Sequence, residues 1–238
     1  MSGNTTENAA NGAGKGRDRI LGALRRSLGR EELPASVREE LSARLSSPKS
    51  NLIPARGDGS PADQVALFSK MAEAVQASVV RVPNGADVPD AVAEYLAQNN
   101  LPSDMVMAPD TALDSYPWAS RPMLNMRRGR AEDADQVSIT GADMAFAETG
   151  TLMLTSDATR PSTLNFLPEN HIVVLRADQI TGAYEEGWRR LRAEGEDGAF
   201  MPRTVNLITG PSRTGDIEQR LQLGAHGPRR LHIIIVEA

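Results

Sequence analysis

The chain of 238 residues carries 26 Lys and Arg against 31 Asp and Glu, a formal net charge of −5, and contains no cysteine. Without a thiolate it cannot form a disulfide framework, a cysteine zinc site or a cluster ligated by its own cysteines, and it lacks a cysteine nucleophile. Aromatic residues make up only 4% of the chain and the net charge is acidic, so we expect no nucleic-acid binding.

The front of the chain differs in charge from the rest. Its first 60 residues hold ten basic and seven acidic side chains, a net +3, whereas residues 61–238 hold 16 and 24, a net −8. Residues 1–16 are small, polar and rich in Gly and Asn, which predicts a disordered tail. Residues 17–60 are predicted to form a helical extension of two short amphipathic helices, followed by a Pro/Gly/Ser-rich linker. Their basic faces are either solvated or dock a partner.

From residue 61 onward, helical periods alternate with short β-branched runs. A helix from Val65 to Val75 precedes a strand over 78–82, and a helix from Val88 to Leu96 precedes a strand over 104–108. This alternation predicts an α/β fold with a parallel sheet covered by helices. No segment approaches the roughly 18 apolar residues of a membrane span, and the first twenty residues lack a signal-peptide stretch, so we expect a cytoplasmic location.

The next part of the chain is rich in β-strands. Residues 137–156 contain two apolar runs, which are broken by Glu-Thr-Gly. The remaining predicted elements are a buried strand over 171–177, a helix from Ile180 to Leu191, a strand over 203–209, a helix with Ile217 and Leu221, and a last strand from Arg230.

The break in this region is the first of three stretches that could carry chemistry. It consists of Glu148, Thr149, Gly150 and Thr151. An ionised carboxylate within an apolar run is costly unless it is exposed or partnered, and Gly150 permits a tight turn that re-aims its neighbours. The stretch is therefore either a hairpin tip with a solvated Glu148 or part of a site.

The second stretch, residues 210–218, lies between a predicted strand and a predicted helix. Ser212 or Thr214 can cap the helix, and Asp216 and Glu218 suit the positive end of its dipole. Such turns also bind phosphate, but two carboxylates in the first turn would repel it. We therefore expect a loop that binds a substrate or a hydroxyl group rather than phosphate.

The third stretch is a turn that contains His226 between two glycines. Histidine has an ordinary pKa near neutrality, so His226 is a candidate for proton transfer, although it could equally be a turn residue without a chemical role. His171, at the start of a buried strand, is expected to be structural. His232 alternates with apolar neighbours and is expected to lie on one sheet face without a chemical role.

Two further chemistries receive little support. Ser212, Asp216 and His226 occur in the chain order of an α/β-hydrolase triad, but G-P-S-R-T-G does not match the G-x-S-x-G elbow. The three histidines show no H-x-x-x-H spacing, and Glu148, Asp216 and Glu218 could at most offer oxygen ligands to a hard cation. We therefore predict neither a triad nor a metal site.

Three strings in the second part of the chain occur in a recognisable order. They are AETGTLML (147–154), LPENHIVVL (167–175) and GPSRTGDIEQRLQLGAHGP (210–228). Together they resemble the LUD-domain family over roughly residues 61–238, and the third is specific because it joins a helix start to a turn. The resemblance implies a Rossmann-like α/β sandwich similar to the ribose-5-phosphate isomerase, glucosamine-6-phosphate deaminase and CoA-transferase group.

The same resemblance implies a role in bacterial oxidation of L-lactate to pyruvate. Related proteins act there with partners that carry iron–sulfur clusters, as subunits of an L-lactate dehydrogenase-type complex. Because this chain has no cysteine, we expect it to be the cluster-free component, with no cofactor of its own and the clusters on partner proteins. The resemblance does not supply a reaction for this component itself.

We hypothesise that the three stretches converge at strand carboxyl ends on a small organic acid such as lactate. The catalytic groups would be Glu148, Asp216 and His226, and Arg213 would pair with the substrate carboxylate through its bidentate fork. The expected substrate-binding residues are Thr149, Gly150, Thr151, Ser212, Arg213, Thr214 and Glu218.

Two alternatives remain open. The protein could be a non-catalytic assembly or scaffold subunit of an iron–sulfur lactate oxidase, with its basic front end as the docking element. It could instead be a stand-alone enzyme of the acyl or phospho-sugar type in the same fold group.

Overall fold

The structure is a computed structural model that describes residues 6–29, 33–50, 52–194, 202–214 and 222–237. For residues 6–15 and Gln222 only the backbone is described. The chain divides into two compact units between Lys49 and Ser50. Among the helices in the described ranges, none is long and apolar enough to cross a membrane.

The first unit contains two helices, α1 (Thr6–Ser27) and α2 (Ala35–Ser46). α1 begins at Thr6, inside the segment whose composition predicts a disordered tail. Starting a new helix requires an unfavourable nucleus, whereas extending an existing helix adds one hydrogen bond for each residue that is fixed. The helix that forms in the apolar part of α1 can therefore extend into the polar residues before it. α2 follows Pro34, whose fixed φ suits the position before a helix.

The second unit is built from strands and helices that alternate along the chain. In chain order, its described strands are β1 (Ser78–Val82), β2 (Asp104–Met107), β3 (Asn125–Arg128), β4 (Val137–Gly141), β5 (Met144–Phe146), β6 (Thr151–Thr155), β7 (Asn170–Arg176), β8 (Ile180–Thr181), β9 (Val205–Ile208), β10 (Arg213–Thr214), β11 (Gln222–Leu223) and β12 (Arg230–Val236). Its described helices are α3 (Pro61–Ala74), α4 (Val88–Gln98), α5 (Thr163–Phe166) and α6 (Tyr184–Ala193).

The described strands form one large parallel sheet and one small mixed sheet. The large sheet has the order β1-β12-β7-β4-β2-β3, and every neighbouring pair in it is parallel. The small sheet has the order β8-β5-β6-β9, in which only β5 and β8 are parallel, and β10 pairs with β11 as a separate antiparallel ladder. The predicted α/β class with a parallel sheet is confirmed.

The two central strands β7 and β12 are buried on both faces. Val174 and Ile234 belong to a core cluster with α4, whereas Val173 and Ile233 belong to a second cluster with Phe68 of α3. Because successive side chains of a strand point to opposite faces, both faces of these strands must be apolar. This double burial explains why both strands are continuous apolar runs in the sequence.

Two predicted elements differ in the structure. The helix predicted from Ile180 begins at Tyr184, because Ile180–Thr181 instead pairs with Ala145–Phe146 as β8. The apolar run that starts at residue 137 contains two strands that belong to different sheets. The helix predicted around Ile217 and Leu221 lies outside the described residues.

Residues 52–60, which the sequence assigns to a linker, belong to the second compact unit. They contain a short 3-10 turn over Ala55–Gly57, and Gly57 is buried. A Cβ on Gly57 would meet the backbone of Gly182 at 2.5 Å from its carbonyl oxygen, so only glycine permits this approach. The contact holds Arg56 beside the turn between β5 and β6.

Candidate functional site

Glu148 lies in the turn that connects β5 to β6 in the small sheet. The N–H of Ala147 donates to the carbonyl of Thr181 at 2.8 Å, and the N–H of Glu148 donates to that of Gly182 at 3.1 Å. Gly150 adopts φ of 66° and lies against the backbone nitrogen of Ala72. The turn is thereby pressed onto α3, and Glu148 is 3% exposed rather than solvated.

The Glu148 carboxylate faces two sources of positive charge. Its Oε1 accepts from the N–H of Tyr184, the first residue of α6, at 3.4 Å. Its Oε2 lies 3.5 Å from Nε of Arg56. The preceding residue, Ala183, has no side chain that can cap α6, so Glu148 acts as the anion at the positive end of that helix.

One oxygen of this carboxylate has incomplete hydrogen bonding. Within the described part of the chain, Glu148 Oε2 is buried and no donor hydrogen-bonds to it, although Arg56 forms the ion pair. The side chain of Arg56 is 58% exposed, whereas the side chain of Glu148 is 4% exposed. A buried acceptor without a donor is costly, so this oxygen can accept a hydrogen bond from a bound molecule when the arginine moves.

Four hydroxyl groups form a connected cluster beside Glu148. Thr149 Oγ1 lies 2.7 Å from Thr151 Oγ1 and 2.9 Å from the Tyr184 hydroxyl, and Thr151 Oγ1 lies 2.7 Å from Thr209 Oγ1. Tyr184 also approaches Thr151 at 2.8 Å. Thr151 is fully buried whereas Thr209 is exposed, so this hydroxyl cluster runs from the interior to the surface. It can both donate to and accept from an oxygen-rich ligand.

The second and third predicted stretches form the two arms of a hairpin. The N–H of Ser212 donates to the carbonyl of Pro228 at 2.9 Å, and the N–H of Gly224 donates to that of Ser212 at 3.0 Å. β10 pairs with β11 in the same arms, which places Arg213 and Thr214 at the described end of the hairpin. His226 is exposed. Ser212 and His226 therefore lie in one local structure.

The connection between the hairpin and the Glu148 turn runs through Thr209. This residue contacts Thr151 and immediately precedes Gly210, which packs against Val75 at the end of α3. Among the described residues, Glu148 pairs with Arg56 and Tyr184, and not with Arg213 or His226. Asp216 and Glu218 lie outside the described residues. Convergence of all three stretches on one ligand stays a prediction.

Arg56, Tyr184 and Thr209 are the site residues that sequence reasoning missed. Arg56 was assigned to the linker and Tyr184 to the interior of a helix. Both reach Glu148 through tertiary contacts, which leave no periodic pattern in the sequence. The only local signal was the presence of Gly57 and Gly182, which allow close backbone approach.

A cavity of about 340 Å³ lies at the carboxyl ends of β2, β4 and β7. The chain leaves β2 towards β3 and leaves β4 towards β7, in opposite directions, and parallel sheets commonly bind ligands at such a point. Asp143 and Arg160 line this cavity and form an ion pair. Neither residue stands out in the sequence, because each lies in a loop without a recognisable motif.

Three charged side chains at or beside this cavity, those of Asp143, Asp157 and Arg160, are paired with one another. Asp143 accepts from the N–H of Thr155 at 2.6 Å, and Arg160 Nε donates to Asp157 at 2.9 Å. Burial alone would raise the pKa of Asp157, but hydrogen bonds from Arg160 and Thr159 outweigh it and hold the pKa at about 2. Because Asp143, Arg160 and Asp157 are partnered within one network, that network is explained as a link between loops.

The described residues do not offer a metal site. They contain no group of three or more His, Cys, Asp and Glu side chains that could hold a metal ion, and the sequence has no cysteine. These donors therefore do not fit an iron–sulfur cluster ligated by this chain.

Residues 65–236 match the family described as LUD domain. The match covers well over half of the chain. The protein belongs to the LUD domain family. The match also contains the Glu148 turn, the hydroxyl cluster and both arms of the hairpin, so these features lie within the LUD domain.

Several curated relatives are named Lactate utilization protein C. The protein of that name from Exiguobacterium sp. is 33% identical over 129 residues, which are 54% of this chain and 55% of the relative. The one from Macrococcus caseolyticus is 35% identical over 101 residues, 42% of this chain and 44% of the relative. The chain thus spans about half the length of these curated relatives.

A solved structure shares the fold of the LUD domain. It is the crystal structure of a DUF162 family protein from Deinococcus radiodurans, with 28% identity and a TM-score of 0.56. The similarity covers 75% of this chain and 99% of that one.

Proposed function

We propose that this protein is the cluster-free component of a system that oxidises L-lactate to pyruvate. Its membership of the LUD domain family and its similarity to proteins named Lactate utilization protein C support this proposal. Because the sequence has no cysteine to ligate them, the proposal places the iron–sulfur clusters on partner proteins. The proposal also assigns no cofactor to this chain.

The protein's own part in this system is to bind a small organic acid at Glu148. The observation that carries this proposal is the buried carboxylate oxygen of Glu148, which lacks a hydrogen-bond donor among the described residues and lies beneath the largely exposed side chain of Arg56. A structural cap for α6 needs only Oε1, which already accepts from Tyr184. The second oxygen is therefore the feature that a ligand explains.

A 2-hydroxy acid has groups that match this site. Its carboxylate would pair with Arg56, which carries the fork geometry suited to carboxylates. Its hydroxyl group would donate to Glu148 Oε2, and the threonine hydroxyls would bind the remaining oxygen atoms. In this arrangement Glu148 is also the nearest acceptor for the hydroxyl proton.

The hairpin would complete the site from the other side of the hydroxyl cluster. Thr209 connects the cluster to the hairpin, in which the proposal keeps Ser212, Arg213 and Thr214 as binding residues and His226 as a proton donor or acceptor. Asp216 and Glu218 remain part of this proposal as residues of the same stretch.

The test is lactate oxidation by the complex reconstituted with its cluster-bearing partners. Glu148→Gln keeps the cap on α6 but removes the charge, so we expect turnover to fall at least about tenfold while assembly is retained. Arg56→Gln should raise KM more than it lowers kcat, because it removes a binding contact. His226→Ala tests the hairpin in the same assay, and the exposed Glu132→Gln is the matched control. Undiminished turnover in an assembled Glu148→Gln complex would reject the acid-binding site.

A specific feature of the first unit favours a second candidate, an assembly subunit. Ile20, Leu24 and Leu28 follow each other at four-residue spacing and are more than half exposed, as is Leu45 in the next helix. Such an apolar stripe on a basic helix suits a partner protein. In that case, Leu24→Glu would abolish co-purification of the partners, whereas Glu148→Gln would leave turnover unchanged.

A stand-alone enzyme is distinguished by the isolated protein. If the protein is such an enzyme, acyl compounds or sugar phosphates should raise its Tm and should be turned over without the partner proteins. The absence of both effects would leave the two complex-based candidates.

A further inference from the structure

A second cavity, of about 640 Å³, lies at the amino ends of the parallel strands β1 and β12. It is bounded by the first residues of β1 and β12 and by the second half of α4, and Pro211 and Leu223 of the hairpin form another part of its wall. Its volume is typical of small-molecule sites. None of the residues that line it belongs to the Glu148 turn or to the hydroxyl cluster.

Two aromatic rings in the wall of this cavity are stacked. Tyr95 of α4 and His232 of β12 have ring centroids 4.0 Å apart and planes 10° apart. Each residue is 6% exposed. The neighbouring strand supplies Ser78, whose Oγ lies 2.8 Å from Nδ1 of His232. Three polar side chains that can exchange hydrogen bonds with a ligand therefore lie in contact with one another in the wall of the cavity.

Both rings carry a buried polar atom whose hydrogen bonding is incomplete. Within the described part of the chain, neither the Tyr95 hydroxyl nor His232 Nε2 has a hydrogen-bond partner. Leaving such atoms buried and unpaired costs about 1–3 kcal/mol each, and native proteins rarely do so without a function. Two such atoms belong to stacked rings that line one cavity, where the hydrogen-bonding groups of a ligand can supply their partners after a small shift of the rings.

The protonation states of the rings follow from their burial. Burial lowers the pKa of His232 to about 4, so the imidazole is neutral near neutral pH. Burial also raises the pKa of Tyr95, against the opposing charge of Arg230, so the phenol keeps its proton. The rings thus offer neutral donors and acceptors, which suit hydroxyl groups rather than charged groups.

The charged side chains of the cavity favour an anion. Arg229 and Arg230 line it, against the single carboxylate of Glu94, which is already held by the Gln98 amide at 2.9 Å. Among the described residues, Arg230 donates to Asn170 at 3.2 Å through one terminal nitrogen, and its other side-chain nitrogens have no acceptor there. A net positive cavity in a part of the chain with a net charge of −8 would attract carboxylates and phosphates selectively.

We propose that this cavity binds a small hydroxylated anion. Its carboxylate or phosphate group pairs with Arg229 and Arg230, and its hydroxyl groups complete the hydrogen bonding of Tyr95 and His232. The cavity is much larger than a three-carbon acid, for which about 30 Å³ per heavy atom is a generous allowance, so lactate itself is not the best match. The site is independent of the acid site proposed at Glu148.

The three histidines of the chain provide a direct measurement of this proposal. In the full-length protein, NMR of the ¹⁵N-labelled imidazoles separates fully buried His171, exposed His226 and His232. Glycerol 3-phosphate and D-gluconate, a six-carbon hydroxylated acid, are the probes for the phosphate and the carboxylate source, and inorganic phosphate is the probe without hydroxyl groups. We expect one of the two hydroxylated anions to shift the His232 signals with Kd of about 1 mM or lower.

Charge removal at the cavity is the second part of the test. The double variant Arg229→Gln/Arg230→Gln should weaken that binding at least about tenfold. Arg81→Gln is the matched control, because Arg81 is an exposed arginine at the other end of β1, paired with Glu237. The proposal is overturned if neither probe shifts the His232 signals, if the double variant binds as the wild type does, or if inorganic phosphate binds equally well. A shift of His226 alone would also overturn it and would point to the hairpin.

Discussion

The Glu148 turn and the cavity at Tyr95 differ in how far their polar groups are hydrogen-bonded. At the turn between β5 and β6, most polar groups are hydrogen-bonded within the turn or to α6. One carboxylate oxygen of Glu148 has no donor among the described residues. At the cavity, side chains from α4, β1 and β12 line an open space, and two buried polar atoms have no partner among the described residues. The first region is covered by Arg56 and leaves one carboxylate oxygen without a donor among the described residues, whereas the second is an open cavity lined by two such polar atoms.

Sequence motifs and unpaired buried polar atoms therefore point to different regions of the molecule. The turn was found from its sequence because a carboxylate interrupts an apolar run. The cavity lies among strands that are apolar in sequence, and only the packing of α4 against β12 reveals its polar groups. Both regions touch the hairpin, through Thr209 in one case and through Pro211 and Leu223 in the other.

The largest expected effect concerns the backbone of the turn. Gly150→Ala should lower the free energy of unfolding by about 3 to 5 kcal/mol, because φ is positive and the new Cβ would collide with the backbone of Ala72. Urea denaturation measures this loss. Gly141→Ala is the control, since its Cβ would meet only the carbonyl oxygen of Val174 at 3.9 Å. Equal stability of the two variants would show that the turn is not pressed onto α3.

An intermediate effect concerns pH and the neutral imidazole of the cavity. Burial lowers the pKa of His232 to about 4 from its ordinary value of 6.5. Between these values the unfolded chain binds a proton that the folded chain does not, so stability is lost as the pH falls. This group alone should remove about 2 kcal/mol of the free energy of unfolding between roughly pH 7 and pH 5.

Replacement of the imidazole tests this assignment. His232→Gln should flatten the pH dependence of urea denaturation by that amount, and the exposed His226→Gln is the matched control. His171 contributes in the same direction in all of these proteins, because burial lowers its pKa to about 3. A His232→Gln profile parallel to the wild type would mean that His232 is accessible to protons in the folded state.

The smallest effect separates the two regions through a matched pair of tyrosines. Tyr184→Phe removes hydroxyl contacts to Thr149 and Thr151 and should cost about 1 kcal/mol of stability. Tyr95→Phe removes a hydroxyl without a partner among the described residues, so it should be neutral or stabilising by up to about 1 kcal/mol. Chemical denaturation of both variants measures the contrast. A loss at Tyr95 as large as that at Tyr184 would contradict the incomplete character of the cavity.

Much of the fold follows from local pattern. Strand β1 spans the predicted residues 78–82, and β2, β7, β9 and β12 fall within one residue or two of the predicted ranges. Periodicity and β-branching suffice here, because strands that are buried on both faces must be continuously apolar. The helix predicted from Ile180 was placed too early, since pairing of β8 with β5 overrides a helical period in the sequence.

The candidate site was predictable only in part. Glu148 and the threonines beside it can be recognised in the sequence because they are polar residues within an apolar run. The structure places Thr149 and Thr151 in one cluster. Arg56 and Tyr184 could not be found in this way, because their contacts with Glu148 join distant parts of the chain. His232 was expected to have no chemical role, and its place beside Ser78 and Tyr95 gives it one in the proposed anion site.

The sequence by itself determined the α/β class, the family and the absence of thiol ligands, because composition, period and motif are properties of the chain alone. Only the tertiary structure decided that Glu148 is buried under Arg56 and that Tyr95 stacks on His232. Burial and hydrogen-bond satisfaction depend on which elements pack together, and residues far apart in the chain carry no local sign of that choice.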